Sequence, residues 1–212
     1  MQAEKTAPSV VIALFADRLV PAKGGMLDQG MDAPLTGARI SVKPLAELLL
    51  AATLWDLRES GAVGFSVEAK KGLLRAKKVL RIERRSGTPG VGGIAAGVLG
   101  AIDAGADSPK DVVRRWLGGS RANPWGDVVT AGLIEVAAGG LGDLDDSGKS
   151  KMKSVLGAVP KLVADAARAA DLEPAFGAFK AVWDGFLAAE GELAAELLGG
   201  CKSALSSIAS TD

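Results

Sequence analysis

The sequence predicts a mainly α-helical bundle with one projecting basic β-hairpin, and three observations lead to this fold class. The 212-residue chain is 48% hydrophobic but only 4% aromatic, so small aliphatic side chains must fill its core, which favours helix-on-helix packing. Apolar residues recur at helical spacing from Leu45 to Trp55. Apolar and polar residues then alternate in two short runs, 63–68 and 80–83, on either side of a glycine-containing basic stretch, which is the pattern of a hairpin.

Start and stop signals place the helices that flank the hairpin. Lys43-Pro44 begins a helix, because proline is tolerated in the first turn, and Gly61 ends it with a left-handed cap. Ser108-Pro109, with Asp111 completing a capping box, begins a second helix, and Asn123-Pro124 begins a third that ends near Gly139.

The remaining segments have weaker patterns. We expect a small-residue helix over 94–104, a long loop over 21–39 and an acidic loop over 139–148. The rest of the chain is predicted as two or three amphipathic helices, broken near Pro174 and Gly191.

Length and composition predict one domain over 1–212, with a frayed tail after about Ser203. The apolar run Val10–Phe15 is shorter than the roughly 20 residues that span a bilayer, and no basic signal-peptide start precedes it. The only cysteine, Cys201, excludes an intrachain disulfide and fits a reducing compartment. The expected location is cytoplasmic, with peripheral attachment to the inner membrane face as an extension.

The residue inventory excludes several kinds of catalytic centre. The chain has no histidine, which excludes a Ser-His-Asp triad, a Cys-His pair and any histidine-containing zinc site. Cys201 next to Gly199-Gly200 is predicted to be an inert small hydrophobe. The sequence marks out no pair of carboxylates for acid–base chemistry. We therefore predict a binding protein rather than an enzyme, with no catalytic residue, no cofactor and no metal.

Three phosphate- or metal-binding patterns are each incomplete. Residues 90–95, Gly-Val-Gly-Gly-Ile-Ala, match a dinucleotide fingerprint, but no second strand ending in an acid follows. Residues 148–150, Gly-Lys-Ser, end like a phosphate-binding loop, but Asp143 stands where the first glycine should be. Asp143, Asp145, Ser147 and Gly148 fit the start of a calcium loop, yet Ser154 stands where a bidentate glutamate is needed. Packing or solvated loops explain these segments better.

The basic hairpin is the strongest candidate for function. Eight cations fall within sixteen residues, opposed only by Glu83. One interpretation is a charged strand edge that prevents aggregation between sheets. The other is contact with phosphate groups, on lipid headgroups or nucleic acid, with Leu73 and Leu74 as a small apolar wedge. The candidate lipid-binding residues are Lys70, Lys71, Arg75, Lys77, Lys78, Arg81, Arg84 and Arg85.

Three stretches, in an order and spacing that fit over about residues 10–190, resemble the Golgi phosphoprotein three family. Leu54-Trp-Asp-Leu-Arg-Glu-Ser-Gly-Ala-Val63 is similar to the family's helix end before its first hairpin strand. Lys71-Gly-Leu-Leu-Arg-Ala-Lys-Lys-Val-Leu80 is similar to its basic second strand. The third runs from Ser108-Pro-Lys-Asp-Val-Val-Arg-Arg-Trp-Leu117 through Asn123-Pro124 to Gly139-Gly140-Leu141.

The resemblance implies a helical bundle with a projecting hairpin and a peripheral membrane or adaptor-like role. The family's Golgi members bind phosphatidylinositol 4-phosphate with a tryptophan and several arginines. Here Ser41 stands in place of the tryptophan, and Leu50, Trp125 and Val128 in place of arginines. The specific phosphoinositide pocket is therefore expected to be absent, which leaves diffuse contact with anionic lipid and a homo-oligomer formed through the hairpin as expectations.

A winged-helix-like nucleic-acid-binding protein is the alternative, since a helix followed by a basic two-stranded wing has that layout. Against it, the chain carries 25 basic and 25 acidic residues, for a net charge of zero. The helix from Pro44 to Ser60 also carries few cations, whereas a recognition helix normally offers several. Nucleic acid is accordingly the less favoured partner.

Overall fold

The computed structural model describes residues 6–23, 29–70, 77–86, 93–145 and 159–209. Within that part of the chain the fold is mainly helical, with a β-hairpin, as the sequence predicts. The helices are α1 (Pro8–Leu14), α2 (Val42–Glu59), α3 (Gly93–Asp103), α4 (Pro109–Leu117), α5 (Pro124–Ala138), α6 (Ala166–Ala170), α7 (Glu173–Ala189) and α8 (Gly191–Ile208). The strands are β1 (Gly30–Asp32), β2 (Arg39–Ser41), β3 (Val63–Lys70), β4 (Lys77–Arg84), β5 (Gly142–Asp145) and β6 (Lys161–Ala164).

Helix α2 is the centre of the bundle. It packs against α1, α3, α5 and α8, and Leu45, Leu49, Leu50 and Leu54 are fully buried. Burying each of these side chains stabilises the fold by about 1.5–3 kcal/mol relative to leaving it exposed. Gly132 of α5 lies against this helix, where even a single added Cβ would come within 3.3 Å of Leu49 Cδ1.

An aromatic cluster attaches α7 to the end of α2. The Trp55 ring meets Trp183 edge-on at 5.6 Å between centroids and lies 5.9 Å from Phe186. Phe179 stacks on Trp183 at 6.1 Å. All four side chains are buried, so four of the chain's nine aromatic residues serve one helix–helix contact.

The predicted hairpin forms between β3 and β4, which pair antiparallel with Phe65 opposite Ile82 and Val67 opposite Leu80. Leu80 and Ile82 are buried, and the backbone N–H of Ile82 donates to the Asp107 carbonyl at 2.9 Å. Strand β4 also contacts α8, α3 and α4. The hairpin is therefore docked on the bundle through β4.

The predicted helix starts are confirmed. Ser108 Oγ accepts from the Asp111 N–H at 3.3 Å and donates to Asp111 Oδ2 at 2.6 Å. Asn123 Oδ1 accepts from the Gly126 N–H at 3.0 Å. Gly61, just past α2, has a φ of +73°, the left-handed conformation expected of a cap.

Two predicted loops contain short strands. β5 lies inside the segment predicted as an acidic loop, over 139–148, and pairs with β6, placing Leu144 opposite Leu162. β1 and β2 lie at the end of the predicted 21–39 loop, with the buried residues Met31 and Ile40 opposite each other. Strands of three or four residues show too little alternation to be recognised, and tertiary burial of one apolar residue per strand decides their pairing.

The last helix extends further than the sequence predicted. Helix α8 continues through Ile208, beyond Ser203, where the sequence predicted a frayed tail. Ala204, Leu205 and Ile208 are buried, and the Ile208 carbonyl accepts from the Arg121 N–H at 2.8 Å. No helix of the described residues is long and apolar enough to cross a membrane.

The cap of α4 yields a stability prediction. Ser108→Ala should lower the free energy of unfolding by about 1 kcal/mol, because the first turn of α4 loses its cap. Ser206→Ala, which removes an exposed hydroxyl bonded within α8, should leave stability unchanged or raise it by up to about 0.5 kcal/mol. Urea denaturation monitored by circular dichroism measures both.

The same substitution should change the pH dependence of stability. The hydrogen bond from Ser108 lowers the pKa of Asp111 below its usual value. A carboxyl with a lowered folded-state pKa stabilises the fold above its unfolded pKa, and this contribution is lost as the pH falls through the folded pKa. The deficit of Ser108→Ala should therefore be larger at about pH 7 than at about pH 2; an equal deficit at both would contradict the role of Asp111.

Candidate functional site

The structure divides the basic hairpin into two parts. We call residues 78–85 and the facing part of β3 the hairpin base, and residues 70–77 the hairpin tip. Lys78, Arg81, Arg84 and Arg85 belong to the base. Lys70 ends β3 and Lys77 begins β4. Lys71 and Arg75 lie outside the described residues.

Three of the four cations of the hairpin base are paired with carboxylates. Lys78 Nζ lies 2.6 Å from Glu192 Oε1 on α8, which raises the pKa of Lys78. Arg81 bonds to Glu68 on β3, with Nε 3.0 Å from Oε2, and to Asp107 before α4.

Arg84 completes the pattern at the opposite end of β4. Its Nε lies 2.8 Å from Asp103 Oδ1 at the end of α3, and its Nη1 donates to the Ala62 carbonyl at 2.8 Å. The carboxylates therefore come from α3, the α3–α4 connection, α8 and β3, so these ion pairs fasten the base to several parts of the bundle. A phosphate group at the base would have to displace them.

Arg85 differs from the other base cations because its contact is steric. A Cβ at Gly64 would lie 2.5 Å from Arg85 Nε, so this guanidinium packs directly over the Gly64 backbone on β3. The Arg85 N–H donates to the Ala62 carbonyl at 2.9 Å, and the residue is exposed.

The hairpin tip concentrates positive charge. Lys70 and Lys77 are direct partners in the β3–β4 register. Residues 70–77 contain four cations and no carboxylate. The tip is therefore the part of the hairpin whose sequence supplies no compensating charge of its own.

A groove of about 760 Å³ lies beside the hairpin base, between β4, the start of α4 and α8. Its lining carries both signs of charge, with Lys78, Arg81 and Lys110 against Asp111 and Glu196. The start of α4 would attract an anion, but Ser108 and Asp111 already cap it. This groove therefore has no preference for either charge.

The four positions that the resemblance would assign to headgroup contacts are buried or half-buried here. Leu50 and Val128 are fully buried, and Ser41 is buried at the start of α2. Trp125 is half-buried, with Lys43 Nζ 4.8 Å from its ring centroid. Two of the four positions are core positions, where an arginine would place an unpaired charge among aliphatic side chains.

Parts of the incomplete phosphate and metal motifs lie within the described residues, where they form other contacts. At the start of α3, Glu135 Oε1 accepts the Ile94 N–H at 3.0 Å, so a carboxylate occupies the place of a pyrophosphate. Burial raises the pKa of Glu135. Asp143 and Asp145 lie in β5, and the described residues contain no group of three or more side chains that could hold a metal ion. Residues 90–92 and 147–150 lie outside the described part.

The helix of the winged-helix alternative is α2. Eleven of its residues, from Val42 to Leu57, are buried, so it forms the core rather than a face that could enter a groove of DNA. Its exposed residues include Lys43 and Glu59, one of each charge. A recognition helix needs an exposed face with several groups aimed at bases, which α2 does not offer.

Sequence reasoning missed a second groove, which we call the acidic groove. It has a volume of about 670 Å³ and lies between the start of α1, the end of α2 and α7. Its residues are far apart in the sequence, and those on α2 and α7 follow ordinary core spacing, so no local pattern identifies them. They are Thr6, Pro8, Val11, Trp55, Asp56, Glu59, Asp171, Leu172, Pro174, Ala175, Ala178, Phe179 and Val182.

Comparison of the chain with protein-family models, with curated proteins and with solved structures gave no match.

The hairpin base gives a test of the ion-pair interpretation. Arg84→Gln should lower the free energy of unfolding by roughly 1–2 kcal/mol, because it removes an ion pair and a charged hydrogen bond to the buried Ala62. Arg39→Gln removes an exposed pair with Asp32 and should cost less than about 0.5 kcal/mol. Urea denaturation compares the two, and equal losses would mean that Arg84 does not anchor the hairpin.

Proposed function

We propose that this protein is a non-enzymatic peripheral membrane or adaptor-like protein that contacts anionic lipid headgroups through its hairpin tip. The observation that carries the proposal is the division of charge along the hairpin. Three of the four cations of the base, Lys78, Arg81 and Arg84, are paired with carboxylates, whereas the β3–β4 register pairs Lys70 with Lys77 at the tip.

The expected affinity is modest. A cation near an anionic membrane surface contributes about 1 kcal/mol, so four tip cations would contribute about 4 kcal/mol. That corresponds to a dissociation constant near the millimolar range, before any contribution from Leu73 and Leu74. Binding of this kind is reversible and weakens as salt screens the charges.

The family resemblance supports a membrane role but not a specific headgroup. The order of helix, basic hairpin and capped helices resembles the Golgi phosphoprotein three family, and we propose a distant relation on that ground. Because Leu50 and Val128 are buried in the core, the proposed contact is diffuse attraction to negative charge rather than a phosphoinositide pocket. In this proposal the protein is cytoplasmic and attaches to the inner membrane face, and a homo-oligomer formed through the hairpin would multiply the attraction.

Liposome flotation at low and moderate salt tests the proposal. Anionic liposomes should carry the native protein upward at low salt, less at moderate salt, and neutral liposomes should not. The tip variant Lys70→Gln/Lys71→Gln/Arg75→Gln/Lys77→Gln should stay at the bottom, because it lacks the uncompensated cations.

A matched control removes four lysines elsewhere on the surface, in Lys110→Gln/Lys161→Gln/Lys180→Gln/Lys202→Gln. It has the same net charge as the tip variant and should float like the native protein. If the two variants behave alike, net charge rather than the hairpin determines binding. If the native protein fails to float, the tip is a solvated strand edge and the proposal is abandoned.

A further inference from the structure

We infer that the acidic groove binds a small amphiphilic cation, meaning a ligand with an apolar body and one positively charged nitrogen. This site is independent of the hairpin, since none of its lining residues belongs to β3 or β4.

The size and walls of the groove suit a small organic molecule. Its volume of about 670 Å³ falls within the roughly 300–1,000 Å³ typical of small-molecule sites. Val11, Trp55 and Phe179 are buried residues that form its inner wall. Ligand pockets are usually lined in this way, by apolar and aromatic side chains with a few polar groups that orient the ligand.

The outer wall leaves apolar surface uncovered. The side chain of Val182 is 54% exposed, one of few large hydrophobic side chains so exposed in the described chain. Pro174 and Ala178, on the same helix, are also exposed and line the groove. Covering this surface with an apolar ligand would contribute about 25 cal/mol for each Å² removed from water.

The charge of the lining selects the sign of the ligand. Among the described residues that line the groove, Asp56, Glu59 and Asp171 are carboxylates and none is a lysine or arginine. A carboxylate at the edge of an apolar wall acts across a lower dielectric than bulk water, which strengthens its attraction for a cation. An anionic ligand of the same shape would be repelled.

Two arginines, Arg58 beside Glu59 in the sequence and Arg18, are held by carboxylates. Arg58 makes its two closest bonds to Glu190, at 2.8 and 2.9 Å, and is 3.4 Å from Glu59. Arg18 binds both carboxylate oxygens of Glu173, at 2.7 and 2.8 Å. These pairs leave the negative charge of Asp171 at the groove, and the rings of Trp55 and Phe179 would add cation–π attraction for a ligand nitrogen.

Three probes with the same ten-carbon chain separate charge from apolar contact. Decyltrimethylammonium, decanoate and decyl maltoside are titrated into the full-length protein by calorimetry, each below its micelle-forming concentration. We expect decyltrimethylammonium to bind most tightly and decanoate least. The tip variant of the hairpin should bind decyltrimethylammonium like the native protein, so this result stands or falls separately from the lipid proposal.

Two variants locate the site. Glu59→Gln/Asp171→Asn should weaken the binding of decyltrimethylammonium about three- to tenfold, the effect of two partly exposed charges. It should leave the affinity for decyl maltoside unchanged. The control Asp143→Asn/Asp184→Asn removes two carboxylates that do not line the groove and should change neither probe. Ala178→Phe, at an exposed position on the wall, should obstruct the groove and weaken both decyltrimethylammonium and decyl maltoside.

If decanoate bound as tightly as decyltrimethylammonium, the inference would be overturned, because the carboxylates that line the groove would then not discriminate between ligands by charge. Unchanged binding in Ala178→Phe would also overturn it, since the probes would then bind elsewhere. A folded Ala178→Phe protein, verified by circular dichroism, with selective loss of binding supports it.

Discussion

The burial of α2 is the constraint on which the rest of the structure depends. Five of its leucines are almost entirely removed from water, namely Leu45, Leu49, Leu50, Leu54 and Leu57. Helices α1, α3, α5 and α8 all pack against α2. A helix that is apolar on nearly every side must lie inside a bundle. The same burial disfavours the winged-helix interpretation, because a helix at the centre of a core has no face to offer to nucleic acid.

The second organising feature is the pairing of charged side chains within the fold. The chain has equal numbers of acidic and basic residues, but the fold brings most described cations of the hairpin against carboxylates of the helices. Those cations are structural, in that Lys78, Arg81 and Arg84 hold β4 on the bundle. At the tip, residues 70–77 contain four cations and no carboxylate, and the described lining of the α1–α2–α7 groove contains three carboxylates and no lysine or arginine.

The net charge is zero, but the chain carries a basic region at the hairpin tip and an acidic region at the groove, on different elements. We propose that the basic tip contacts a surface of phosphates and that the carboxylate-lined cavity binds a small cation, and neither proposed contact needs a catalytic group. Potentials of this kind act within about 8–10 Å at physiological salt. The two proposed contacts can thus operate independently.

Local chemistry in the sequence determined much of the fold. Several of these features depend only on neighbouring residues and can therefore be predicted from the sequence. They are the N-caps at Ser108 and Asn123, the C-terminal cap at Gly61 and the alternation around Val63 and Leu80. The sequence also identified the eight hairpin cations but not that Lys78, Arg81 and Arg84 pair with carboxylates, because their partners Asp103, Asp107 and Glu192 are distant along the chain. Only the tertiary structure decided that, as it decided the pairing of β5 with β6, the packed end of α8 and the acidic groove. Each arises from contacts between distant segments, which no local periodicity encodes.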